Sequence, residues 1–237
     1  MRYAIYFSPP QDDALTLEAS AWLGRDAFSG HMLTPASLDG MTLAAWQNLT
    51  KDPARYGFHA TLKAPFSLSE GCTEDQLLKA FDDFCRQTPA CSIDRLALSQ
   101  LGPFFALVPD GPSPAVDTLC ASVVEVFEPF RAPLGPDDMA RRKPERLSEN
   151  QRAHLQRWGY PYVFDEFRFH MTLSGPVSAE EQPQVRAMLE HRFARFIGQP
   201  LQIGHLALFA EPTRGAPFII ARHSPLSGRT GDSELVQ

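Results

Sequence analysis

Long apolar runs are missing from this chain of 237 residues. The stretch MRYAIYFSPPQDD is apolar only from Tyr3 to Phe7 before two prolines and two acids stop it, so neither a secretory signal nor a membrane span is expected there, and no later segment approaches spanning length. Cysteine is scarce as well. The four residues at 72, 85, 91 and 120 make no C-x-x-C pair and no regular framework, which argues against structural zinc and disulfides and for reduced thiols in a cytoplasmic protein. Positive charge is short, with a net charge of −6, so a broad nucleic-acid surface is not expected and any phosphate site must be local. No G-x-S-x-G elbow marks a serine hydrolase. Asp165-Glu166, near His170, is the one cluster that would tempt a metal, and it lacks ligand spacing. No metal and no cofactor are expected.

What the chain does have is a quartet written twice. GFHATLKAPF at 57–66 and FRFHMTLSGP at 167–176 each carry histidine, an apolar residue, threonine and leucine, 111 positions apart. The surroundings repeat too. After His59 come Pro65, a helix over about 73–87, IDRLALS and PFFALVP; after His170 come Pro176, a helix over about 179–195, IGHLALF and PFIIARH. Self-similarity in order and spacing is the mark of a duplication. The expected fold is therefore α+β: one domain over 1–237, bilobal, with two pseudo-twofold-related lobes whose antiparallel sheets line a central cleft and whose helices lie outside.

Other elements follow from local pattern. RYAIYFS at 2–8 reads as a strand, 12–23 and Met41–Leu49 as helices, and Gly57–Lys63 as a strand ending before Pro65. Thr73 opens the helix that runs to about 87, with strands near 93–99 and 103–108. A helical insertion over about 112–160 separates the repeats: a helix at 115–130, a turn-rich connection at 131–145, and a helix at 148–158 capped by Ser148 and stopped by Gly159. A polar tail begins near 227.

Residues i and i+2 of a strand share a face, so His59 projects with Thr61 and His170 with Thr172, while Ala60, Leu62, Met171 and Leu173 turn to apolar packing. Two imidazoles and two hydroxyls around one cleft suit phosphodiester chemistry. One histidine takes a proton from the attacking oxygen and the other gives one to the leaving alkoxide, each transfer contributing about 10²–10⁴-fold, while the threonines donate to the non-bridging oxygens. The residue pattern does not say which histidine does which. The histidines at 31, 154, 191, 205 and 223 lie outside the motif.

These paired H-x-T-L motifs resemble the two-histidine phosphoesterases. RYAIYF, YGFHATLKAPF, RRKPERLSENQRAHLQRWGYPY and FRFHMTLSG are similar to a bacterial branch of that group associated with phosphonate use. The resemblance implies a cyclic phosphodiesterase, with His59 and His170 catalytic, Thr61 and Thr172 on the phosphate, and a ribose 1,2-cyclic phosphate bearing a 5-phosphate as a sensible substrate in phosphonate catabolism. The insertion is expected to cap the cleft against polynucleotides. Its Arg141, Arg142 and Lys143 form the densest positive patch, read either as a holder for a second phosphate or as a solvated loop. Two other readings stay open: a non-catalytic module that binds a phosphorylated ligand or RNA, and an enzyme that opens or ligates RNA 2′,3′-cyclic ends. The expected partner is a small phosphorylated substrate, with the acidic balance counting against nucleic acid.

Overall fold

The computed structural model describes residues 1–229, so most of the polar tail expected from about 227 lies outside the described residues. β1 (Arg2–Phe7) is buried on both faces: Tyr3, Ile5 and Phe7 enter the main core, while Ala4 and Tyr6 join a smaller cluster with Ala27, Ala207, Phe209 and Phe218. α1 (Ala14–Leu23) starts where Asp13 accepts the Leu15 N–H and stops at Gly24 in a left-handed conformation. Its Trp22 is fully buried. α2 (Leu43–Tyr56), capped by Thr42, runs seven residues past the helix expected from the sequence, carrying Pro53 inside it.

β2 (Ala60–Phe66) follows, then α3 (Glu74–Gln87), which opens with the expected capping box between Thr73 and Gln76. β3 (Cys91–Ile93), β4 (Leu96–Leu101) and β5 (Phe104–Pro109) close the first repeat. The inserted region contributes α4 (Pro114–Val126), α5 (Pro136–Arg141) and α6 (Glu149–Trp158). α6 has the expected Ser148 cap and Gly159 stop. α5 lies inside the connection at 131–145, for which the sequence pattern gave turns but no helix. β6 (Met171–Thr172), α7 (Gln182–Arg192), β7 (Leu201–Ile203), β8 (His205–Glu211) and β9 (Ile219–Pro225) complete the described chain.

The architecture is α+β with antiparallel pairing throughout. Seven strands form one continuous sheet in the order β4-β5-β6-β2-β1-β8-β9, so the sheets expected of two lobes are joined through β6 and β2. The hairpin β4–β5, from the first sequence repeat, packs beside β6 of the second. Conversely β8–β9, from the second repeat, lies beyond β1 on the β2 side, and α3 packs against it.

Two pairings have a special register. Ala60 pairs with Met171, each the residue after its histidine, and in the small sheet β3–β7 Ser92 pairs with Gln202, 110 positions on. Each of these residues thus pairs with the position that the sequence self-similarity aligns it with. Met171 and Leu173 are fully buried, and Ala60 and Leu62 nearly so, which holds the two motif strands down by their core faces and leaves the alternate face to the cleft.

Candidate active site

His59 and His170 each lie just before the first residue of a strand, not inside it. Carrying the Ala60–Met171 antiparallel register one residue either way sets Thr172 across from His59 and His170 across from Thr61. The two histidines then occupy one diagonal of a square and the two threonines the other, with diagonal Cα positions about 7–8 Å apart. All four line one cavity of about 350 Å³, with Tyr6, Tyr56, Phe104, Arg142, Tyr160 and Ser174.

Backbone carbonyls fix both imidazoles in the same way. His59 Nδ1–H donates to the Gly57 carbonyl at 2.9 Å and His170 Nδ1–H to the Arg168 carbonyl at 2.8 Å, each two residues back. With Nδ1 holding its proton, each Nε2 is the atom left for proton transfer. The Thr61 hydroxyl donates to His59 Nε2 at 3.3 Å, and the Tyr6 ring stacks on the imidazole at 4.0 Å between centroids. Burial against these rings pushes His59 down to about 4, with the charge on nearby His170 acting the same way and the Gly57 bond opposing it. His59 is therefore a neutral imidazole near pH 7. Tyr6 is fully buried, which holds its phenol well above the ordinary value and so neutral.

Gly57 is the hinge of this arrangement. Its φ of +78° with ψ of 176° suits glycine alone, and a Cβ there would sit 2.5 Å from the Ala27 Cβ. Gly57→Ala is expected to lose about 1–3 kcal/mol in urea unfolding, and to impair any His59-dependent turnover by moving the carbonyl that orients the ring. Ser174, buried behind the motif, accepts the Phe105 N–H and donates to the Gly175 carbonyl, tying the end of β6 to β5.

The sequence-predicted basic triplet divides. Arg142 lines the histidine cavity, its guanidinium 5.1 Å from the Tyr160 ring centroid, whereas Arg141 lines an adjoining basin and Lys143 lines neither. Arg142 and Tyr160 both come from the inserted region, which therefore walls part of the cleft. Asp165 and Glu166 bond instead to His154, Asn150 and Gln151. The sequence singled out none of Tyr6, Tyr56 and Tyr160, all of which line the cavity. The alternation in β1 that puts Tyr6 opposite to Ile5 and Phe7 was the available signal.

The family described as "Protein of unknown function (DUF1045)" matches residues 61–219, well over half of the chain. The chain belongs to this family. Among curated proteins it is similar to the "Ribose 1,5-bisphosphate phosphokinase PhnN" of Janthinobacterium sp. (strain Marseille), 38% identical over 232 residues, covering 96% of this chain and 51% of the relative. It is also similar to the protein of the same name from Laribacter hongkongensis (strain HLHK9), 34% identical over 224 residues, covering 94% and 51%. The chain spans about half the length of these relatives. The solved structure of TT0787 of Thermus thermophilus aligns with a TM-score of 0.46 at 14% identity, covering 96% of this chain and 99% of that one.

Proposed function

We propose that this protein hydrolyses a small cyclic phosphodiester with His59 as general base and His170 as general acid, and that its two halves are copies of one unit about a pseudo-twofold axis. The observation that carries the reading is the diagonal quartet in one cavity, with both Nδ1 atoms held by matched carbonyl bonds. Support for the duplication comes from the self-matched pairs Ala60–Met171 and Ser92–Gln202.

In the proposed step, water attacks phosphorus as its proton passes to His59 Nε2. The P–O bond on the far side breaks, and the departing alkoxide takes a proton from His170 Nε2, giving a phosphomonoester and a free hydroxyl. The histidines finish with exchanged protonation and reset through solvent. Thr61 and Thr172 donate to the non-bridging oxygens, where charge grows. The base role goes to His59 because its burial keeps it neutral. A ribose cyclic phosphate within phosphonate catabolism suits both the cavity size and the relatives' name, which speaks of a phosphorylated ribose. No G-x-x-x-x-G-K-[ST] loop exists in the chain to cradle a nucleotide's phosphates, so a kinase reading finds no support in it.

The pH profile of kcat/KM tests the assignment. Only neutral His59 accepts a proton, so activity falls as pH drops through about 4, well below the roughly 6.5 at which an ordinary histidine would begin to fail. An acid limb centred near 6.5 counts against His59 as the base. Turnover is also expected to persist undiminished in excess chelator; loss that zinc or magnesium restores would overturn the metal-independent scheme.

A further inference from the structure

Beside the histidine cavity, and sharing Tyr56, Pro65 and Arg142 with it, lies a second basin of about 480 Å³. Five arginines line it: Arg2, Arg55, Arg141, Arg142 and Arg214. They come from β1, α2, the α5 region and the β8–β9 connection, segments far apart in sequence that the sheet order brings to one rim. Two carboxylates oppose them. Fully buried Glu211 holds Arg2 and Arg55 from beneath, and Asp138 pairs with Arg214 and, at 3.4 Å, with Arg141. Arg142 has no carboxylate partner among the described residues and rests on the Tyr160 ring. Five guanidiniums against two carboxylates leave an excess of three positive charges in a concave site, on a chain whose net charge is −6.

Arginines that merely tie elements together are matched by carboxylates, so a surplus pointed into a cavity needs another counter-charge. The planar guanidinium fork suits phosphate oxygens. Arg55 also donates to the Tyr56 hydroxyl at 3.1 Å, linking the basin to the wall of the histidine cavity.

Building on the proposed reaction, we infer that this basin binds a second phosphate of the substrate, a phosphomonoester carried away from the cyclic phosphodiester that the histidines address. Arg2, Arg55 and Arg214 thereby join Arg141 and Arg142 as substrate-selecting residues, and Lys143 is left out.

Calorimetric titration in the His170→Ala protein tests this without turnover, using adenosine 2′,3′-cyclic phosphate and its 5′-phosphorylated counterpart at physiological ionic strength. The added phosphate is expected to tighten binding by about 10- to 100-fold, the range for charge-assisted hydrogen bonds. That advantage should collapse when Arg141→Gln and Arg214→Gln are added, both side chains being about half exposed and so tolerant of change. Equal affinity for the two ligands, no binding of the 5′-phosphorylated one, or an advantage that survives the arginine replacements would each overturn the inference. A wild-type protein that cleaves neither compound yet keeps the affinity split would sink the proposed reaction and leave the subsite standing.

Discussion

Alanine at His59 or at His170 is expected to lower kcat/KM on a cyclic phosphodiester by about 10²–10⁴-fold, the range of a single general acid or base. The two losses should differ in their pH signature. Without His59 the acid limb near 4 disappears, because the group that must stay neutral is gone, whereas the His170→Ala protein should keep that limb in its residual activity. The double variant should lose little more than the worse single one, since base and acid act in one step. Circular dichroism separates this from misfolding, since each imidazole makes its carbonyl bond only two residues back in its own segment. A wild-type-like rate in a folded His59→Ala protein would remove the base.

The largest loss of stability is expected at Trp22. It is fully buried on α1, and its indole N–H donates to the Leu173 carbonyl at 2.7 Å, while its own carbonyl accepts from Trp46 Nε1 at 2.7 Å. Trp22→Ala removes a large core ring and leaves the Leu173 carbonyl without its donor, so about 3–5 kcal/mol is expected from urea unfolding. Because Leu173 closes the second motif, activity should fall alongside stability. Trp22→Phe keeps most of the volume and loses the bond, and about 1–3 kcal/mol is expected for it. Equal costs for the two variants would show that the hydrogen bond, not the packed ring, holds this corner.

Much of the fold was legible because its signals are local. The Thr73–Gln76 and Ser148–Gln151 capping boxes lie within one turn of chain, and both helices begin where those residues place them. The motif alternation was equally plain, since burying Ala60, Leu62, Met171 and Leu173 forces the histidines and threonines to the other face. α5 was missed although Pro136, Asp137 and Asp138 are good helix-start residues; Pro133 and Gly135 just before them read as turn. Pro65 inside β2 was unexpected. The β1–β2 register shifts on either side of Ile5, and that irregularity accommodates a residue with no N–H.

The site was half legible. His59, Thr61, His170 and Thr172 stand in a pattern that a strand period explains, and the cavity gathers all four. Arg2, Arg55 and Arg214 carry no pattern of their own. They meet only because β1 lies between β2 and β8, an order that sequence spacing does not encode. The basic run at 141–143 looked like one unit, yet the backbone turns at Lys143, whose φ of +49° is left-handed, and its members separate.

The central claim, paired-histidine hydrolysis of a cyclic phosphodiester, is tested most directly by ³¹P NMR of a ribose cyclic phosphate incubated with the protein in ¹⁸O-water and excess chelator. Wild-type protein should convert the cyclic signal to a phosphomonoester carrying one ¹⁸O on phosphorus, and the His59→Ala/His170→Ala protein should leave the cyclic signal intact. Equal conversion by the folded double variant would contradict the account.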